Sequence, residues 1–385
     1  MTRYLSIAIA LIATVLTSTI PAHSQDYEVW AVDQANVELG GDRLYIWQAP
    51  NWTEPKDVVI LSEKAAGIGD GPGVRPHLLM FNTAGSHAIL ANVASGHVYV
   101  IRGSDRTVVG SIDVGEQAHG AIASPDDTWI LAANQNGKKL ARIKADFAAE
   151  TFTHDAAADL DLKALEDEAH PDNAPICPVM YVGTSKAYVT LRGGGLYVVD
   201  TAASPMQVIR SYSKAEVAPA GCGGIVQGDR VWINSGTATS SDLYLFDAKT
   251  DDLLWSKSTS EYGTDAHGML LLDGRYLWMA NRGEKDTIIV IDTETRDIIH
   301  TITDAGVAPD LMDVNPDGTL VFLTLRGPKP NTGGMPATGV TPGVAVIQVE
   351  QGGSMGKTLS FVPIGQQNPD SPADPHGIAV RKIAP

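Results

Sequence analysis

Along most of this 385-residue chain, apolar and polar residues alternate in short runs separated by Gly, Ser, Asp and Asn turns. The pattern is plainest over residues 77–113, where HLLMFNT, HAILANV, HVYVIRG and TVVGSID follow one another. It returns at 267–303 as HGMLLL, RYLWMANRG, TIIVIDTE and DIIHTIT. A period of two is that of a half-buried strand, so each stretch predicts four strands joined by tight turns. No helix of ordinary length competes there.

Seven segments open such a group: RPHLLMF, QAHGAIASPDD, CPVMYVGTSK, GCGGIVQGDR, DAHGMLLLDGR, PDLMDVNPDG and DPHGIAVRK. They place His77, His119, Cys177, Cys222, His267, Asp310 and His376 at matching points, separated by 42, 58, 45, 45, 43 and 66 residues. A repeat of about 40 to 50 residues predicts a propeller in which each repeat is one four-stranded sheet. The two longer steps hold insertions.

The chain closes on DPHGIAVRKIAP, an innermost strand with nothing after it. Near the start, EVWAVDQAN, DRLYIWQA and DVVILSE read as three strands lacking an innermost partner. Together they predict a seventh blade, from about Glu28 to Ser62 plus the strand at His376, whose pairing hides edges that an open propeller would expose. The fold class expected is therefore all-β, a seven-bladed β-propeller over residues 25–385. The 38 Gly and 22 Pro suit a turn-rich chain of this kind.

Residues 1–24 hold Arg3, an apolar run from Ile7 to Val15, and a small-residue end at Ala22-His23-Ser24. They predict a secretory signal peptide cleaved before Gln25, with no later segment able to span a membrane. The expected location is periplasmic or secreted. Losing Arg3 takes the formal net charge from −17 to −18, which disfavours nucleic acid and anionic lipid as partners.

The blade starts resemble the YVTN-type β-propeller repeat of the quinoprotein amine dehydrogenase-like superfamily. The resemblance is carried by Ala118-His119-Gly120 with Ser124-Pro125-Asp126-Asp127, by Asn315-Pro316-Asp317-Gly318, and by Trp278-Met279-Ala280-Asn281. It implies the fold. It does not select among the dehydrogenase subunits, lactonase-like enzymes and non-catalytic surface proteins that share it.

In such propellers the innermost strand starts at the channel mouth, so the marked residues would ring one opening. Imidazoles with a carboxylate suit zinc or copper, which gives an expected ligand set of His77, His119, His267, Asp310 and His376. The plainer reading is that each His merely bonds a carbonyl in its turn. Cys177 and Cys222, neighbours in ring order, are read as a disulfide, or else as thiolate ligands favouring copper. Metal binding should weaken as pH falls through the usual histidine range near 6.5.

The insertion from Thr153 to His170 is acidic and holds a possible short helix at Leu160, Leu162 and Leu165; it reads as a cation loop or a solvated surface. The Gly/Pro-rich insertion 327–343 reads as a lid or a loose loop. Arg192, Arg282 and Arg326, each ending a second strand, could ring the mouth and hold an anion.

No Gly-x-Ser-x-Gly elbow, His-Glu-x-x-His or phosphate loop occurs. We therefore expect a monomeric, exported metal-binding propeller, a zinc or copper carrier rather than an enzyme, with a partner protein at the channel-mouth face. The alternatives are a metal-assisted, lactonase-like hydrolase on the same ring, or a non-catalytic scaffold for protein or other ligands.

Overall fold

The computed structural model describes residues 26–35, 41–66 and 75–383; the expected signal peptide, 1–24, lies outside them. The described strands form seven sheets, six of four strands and one of five. Blade 1 begins at Pro76–Phe81, blade 2 at Ala118–Ala123, blade 3 at Pro175–Met180 and blade 4 at Gly224–Gln227. Blade 5 begins at Thr264–Leu272 and blade 6 at Pro309–Val314. Blade 7 combines the last strand, Pro375–Lys382, with Tyr27–Asp33, Arg43–Gln48 and Asp57–Ile60. The predicted propeller and its closure are both present. No described helix is long and apolar enough to cross a membrane.

Strand alternation explains how the blades cohere. In the second strand of blade 1, His87–Asn92, Ala88 and Leu90 face blade 7, whereas Ile89 and Ala91 face blade 2. Successive side chains leave opposite faces of a strand, so one strand feeds two cores. Each of seven apolar clusters accordingly joins two neighbouring blades. Outermost strands have one wet face, and Leu253–Ser258 alternates half-buried with exposed along its whole length.

The acidic insertion is a surface element. Thr151–His154 adds an outer strand to blade 2, and Leu160–Asp161 pairs with Lys139 and Leu140. The expected short helix reduces to a single 3-10 turn at Lys163–Leu165. Two of its acids are already matched: Asp155 lies 2.7 Å from Arg142, and Asp159 meets both His154 and Lys139. The solvated-surface reading stands over a cation loop.

Six innermost strands carry a bulge at the same place, with His119-Gly120 holding it in blade 2. In blade 1, Pro76 pairs with Asn92 and Leu79 with Leu90, so His77 and Leu78 together face one residue. The same offset recurs at His267-Gly268, Asp310-Leu311 and His376-Gly377. Bulges re-aim a side chain, and here the first bulged residue turns to the channel mouth.

Blade 3 corrects the sequence alignment. Pro175 pairs with Leu191 and Pro178 with Val189, which gives the first bulge position to Ile176 and the second to Cys177. Cys177 is therefore the counterpart of Leu311, one step into the channel. Both backbone N–H groups meet a threonine on the second strand, Thr190 and Thr324 respectively.

Candidate metal centre at the channel mouth

His77, His119, His267 and His376 line one cavity of about 410 Å³ at the mouth, together with Ile176, Arg192 and Arg282. Asp310 lies beneath it with no exposed surface. The residues immediately following, Leu78, Cys177, Gly268 and Leu311, line a second and largely apolar chamber of about 380 Å³. The imidazole layer is thus the partition between a polar mouth and an apolar channel.

The expected five-residue ring resolves into two groups. His267, Asp310 and His376 each offer a ligand atom within 4.8 Å of the others, so this buried group could hold a metal ion. His376 Nδ1 lies 2.5 Å from Asp310 Oδ2, and His267 Nε2 lies 3.3 Å from Asp310 Oδ1. A carboxylate oxygen only accepts, so the proton of His376 sits on Nδ1 and its Nε2 is a bare lone pair. That Nε2 is buried without a hydrogen-bond partner, and neither ring nitrogen of His267 makes a hydrogen bond.

The second group is His77 with His119, their Nε2 atoms 3.2 Å apart. His77 Nδ1 lies 3.0 Å from Gln34 Oε1, and His119 Nδ1 lies 3.1 Å from the Ile176 carbonyl. The groups meet where the His77 and His376 rings stand 4.0 Å apart between centroids.

Burial keeps these rings neutral. It lowers His77, His267 and His376 well below the ordinary histidine value. Neighbouring imidazoles push His77 further down, and Arg282 does the same to His267. His119 is brought down to about 4, again chiefly by burial. Neutral imidazole is the form that binds metal, so no proton has to be displaced near neutral pH.

The arginines do not form the free anion-binding ring considered from the sequence. Arg326 is fully buried, its Nη1 3.1 Å from Asp310 and its Nε 2.6 Å from Asp374. Arg282 grips Asp265 at 2.8 and 3.1 Å and reaches Asp310 at 3.4 Å. Arg192, the most exposed, lies 2.7 Å from Asp172. Around Asp310, three carboxylates (Asp265, Asp310, Asp374) face two guanidiniums, a local excess of negative charge beneath four neutral imidazoles.

Cys177 and Cys222 form a disulfide with their Cα atoms 5.0 Å apart. Both sulfurs lie within 4.8 Å of a His119 ring nitrogen, but a disulfide offers no thiolate, so neither cysteine is a thiolate ligand. The bond instead joins the inner walls of blades 3 and 4.

Sequence reasoning did not single out Gln34, Asp265, Asp374 or Thr332. Asp265 and Asp374 each stand two residues before a ring histidine, a recurrence that was readable. Thr332 belongs to the 327–343 insertion, where Asn331, Thr332 and Gly333 reach the mouth. The insertion is pinned there: Gln34 Nε2 donates to Thr332 Oγ1 at 3.0 Å, and Asn331 N–H donates to Asp374 at 2.6 Å.

No family model matches the chain, and no curated protein sequence matches it. Solved structures do resemble it. A Pseudomonas aeruginosa periplasmic gluconolactonase superposes with a TM-score of 0.62 at 13% identity, covering 93% of this chain and 100% of that one. A chain of Kuenenia stuttgartiensis hydrazine synthase gives 0.61 at 13%, covering 80% and 96%. A chain of a mitotic checkpoint complex gives 0.56 at 12%, covering 80% and 87%. At such identity the likeness is one of fold: this chain is a seven-bladed propeller like those of the gluconolactonase and the hydrazine synthase.

Proposed function

We propose that this protein is an exported propeller that binds a transition-metal ion, zinc or copper, at its channel mouth through His267, His376 and Asp310. The observation that carries the reading is the set of three buried ring nitrogens, both of His267 and Nε2 of His376, that have no hydrogen-bond partner beside a carboxylate. A buried polar atom left unpaired costs about 1–3 kcal/mol, and a bound cation removes that cost at the lone pair of His376 Nε2 and at the unprotonated nitrogen of His267. Asp310 serves first as the orienting acceptor of His376 Nδ1–H, the usual partner of a metal-bound imidazole. Export is supported by the leader-like segment 1–24 and by the disulfide, which persists in oxidising compartments.

One observation favours a second reading, the metal-assisted hydrolase. The cavity above the histidines holds about 410 Å³ and is bordered by Arg192 and Arg282, room enough for a small substrate beside the ion. There the metal would activate water, and the gluconolactonase resemblance suggests lactones as the first substrates to try.

Metal analysis of the purified mature protein, followed by calorimetry with zinc and copper at neutral pH, tests the binding reading. Loss of one bound ion in His267→Ala supports it, and the absence of any zinc or copper binding refutes it. Metal-dependent lactone hydrolysis in the same preparation would favour the enzyme over the carrier.

A further inference from the structure

We propose that His77 and His119 form a second zinc site, separate from the His267–Asp310–His376 group. The argument rests on tautomers and one distance. His119 Nδ1 faces the Ile176 carbonyl at 3.1 Å, and a carbonyl only accepts, so the proton is on Nδ1 and Nε2 is a lone pair. His77 Nδ1 faces Gln34 Oε1 at 3.0 Å, and since Gln34 Nε2 donates to Thr332 Oγ1 at 3.0 Å the oxygen is the atom left to accept, which places the His77 proton on Nδ1 too. Two bare lone pairs then point at each other across 3.2 Å. With no proton between them the contact is repulsive, and a shared cation turns it into an attraction.

The separation selects the cation. Two imidazole nitrogens at about 2.0–2.1 Å from a tetrahedral zinc stand about 3.3 Å apart, close to the 3.2 Å found. The N–H of each ring is already held by a carbonyl or amide oxygen, the arrangement that orients a ligating imidazole. Two protein ligands leave coordination positions facing the mouth cavity, where Gln117 and Gln135 also lie and where water or a substrate oxygen can enter.

The site does not depend on the ion proposed at His267. Zinc titration of the mature protein, with stoichiometry read by calorimetry and by elemental analysis, separates the two. The expected result is two zinc ions per chain, falling to one in His119→Ala and in the milder His119→Gln, with the remaining ion lost when His267→Ala is added. In His267→Ala alone, one ion should remain.

A single ion unaffected by either His119 substitution overturns the proposal. So does a single ion abolished by His119 and His267 variants alike, which would mean one shared centre. Nitrogen-15 NMR of the metal-free protein supplies an independent check. If His77 carries its proton on Nε2 and donates it to His119, the pair is an ordinary hydrogen bond and the proposal fails.

Discussion

Arg326 and Asp374 lie side by side with neither exposed to solvent. Nε is 2.6 Å from Oδ1 and Nη2 is 2.9 Å from Oδ2. The pair links the second strand of blade 6 to the start of the last strand, two residues before His376. Since Arg326 also reaches Asp310, one guanidinium holds both the ring closure and the carboxylate that orients His376. Removing one partner of a buried ion pair leaves an uncompensated charge, at about 3–5 kcal/mol. Arg326→Leu should therefore lower unfolding free energy by about that amount in urea titration. A loss under about 1 kcal/mol would show that the pair is not holding the closure.

The last strand makes a separate prediction. Pro375–Lys382 pairs with Tyr27–Asp33, and its Ile378 and Ala379 feed the two apolar clusters flanking blade 7. Deleting residues from Asp374 onward bares the edge of Tyr27–Asp33 and opens both clusters. Such an edge invites pairing with another chain. The truncated protein should melt lower and associate at concentrations where the full chain does not. Equal melting temperatures would refute the closure argument.

The disulfide closes 45 residues between Cys177 and Cys222, for which loop-closure entropy gives about 4 kcal/mol. Thiol titration of the native protein should find no free cysteine. A Cys177→Ser, Cys222→Ser double variant should be less stable by up to that amount and yet bind metal as tightly at the His267 group, which contains no sulfur. Loss of metal affinity equal to that of His267→Ala would return the sulfurs to the ligand set.

The fold was legible because its signal is local and repeated. Alternation within a strand, a turn, and the same again some 45 residues later suffice for blades, and a lone final strand matched to three early ones suffices for closure. The site was legible only in part. A blade repeat gives a residue's height in the channel, but a bulge of two residues leaves that height uncertain by one. Cys177 was accordingly aligned with His77, when Ile176 holds that place. Nor does a repeat say which neighbour a side chain turns to. Arg282 makes its two-point grip on Asp265 of its own blade and Arg326 on Asp374 of the next, although both also reach Asp310 and both end second strands in the same way.

Acid should destabilise the protein over a window set by burial. His77, His119, His267 and His376 all have lowered affinity for protons in the folded state, His119 titrating at about 4. The unfolded chain takes up those protons from about pH 6.5 downward. Stability therefore falls as pH drops from about 6.5 toward 4. Asp33 and Asp313, raised to about 6 by burial, act in the opposite sense, since the folded state holds protons there that the unfolded chain releases. Asp242, also raised by burial, joins them, whereas carboxylates held low by ion pairs, such as Glu150 at about 2 beside Arg102, add to the histidines' effect and leave a net fall. The melting temperature should decline between pH 6.5 and 4.5, and His119→Gln should flatten the decline. A melting temperature that rises over that range would contradict the assignment.

The same burial shifts the pH dependence of metal binding away from the sequence-based value near 6.5. Protons compete for a ligand nitrogen only near its own folded-state pKa, and these imidazoles titrate lower. Zinc or copper affinity at the His267 group should hold from pH 7.5 down through 6.5 and weaken only below that, whereas two ordinary histidines would already lose affinity through 6.5. His267→Ala and His376→Ala should each reduce affinity at least tenfold at pH 7. His300, on the outermost strand of blade 5, Asp297–Ile302, is the control, and His300→Ala should leave affinity within twofold. If the control loses as much as the mouth variants, the metal is binding adventitiously at the surface, and the histidines of the channel mouth are turn chemistry alone.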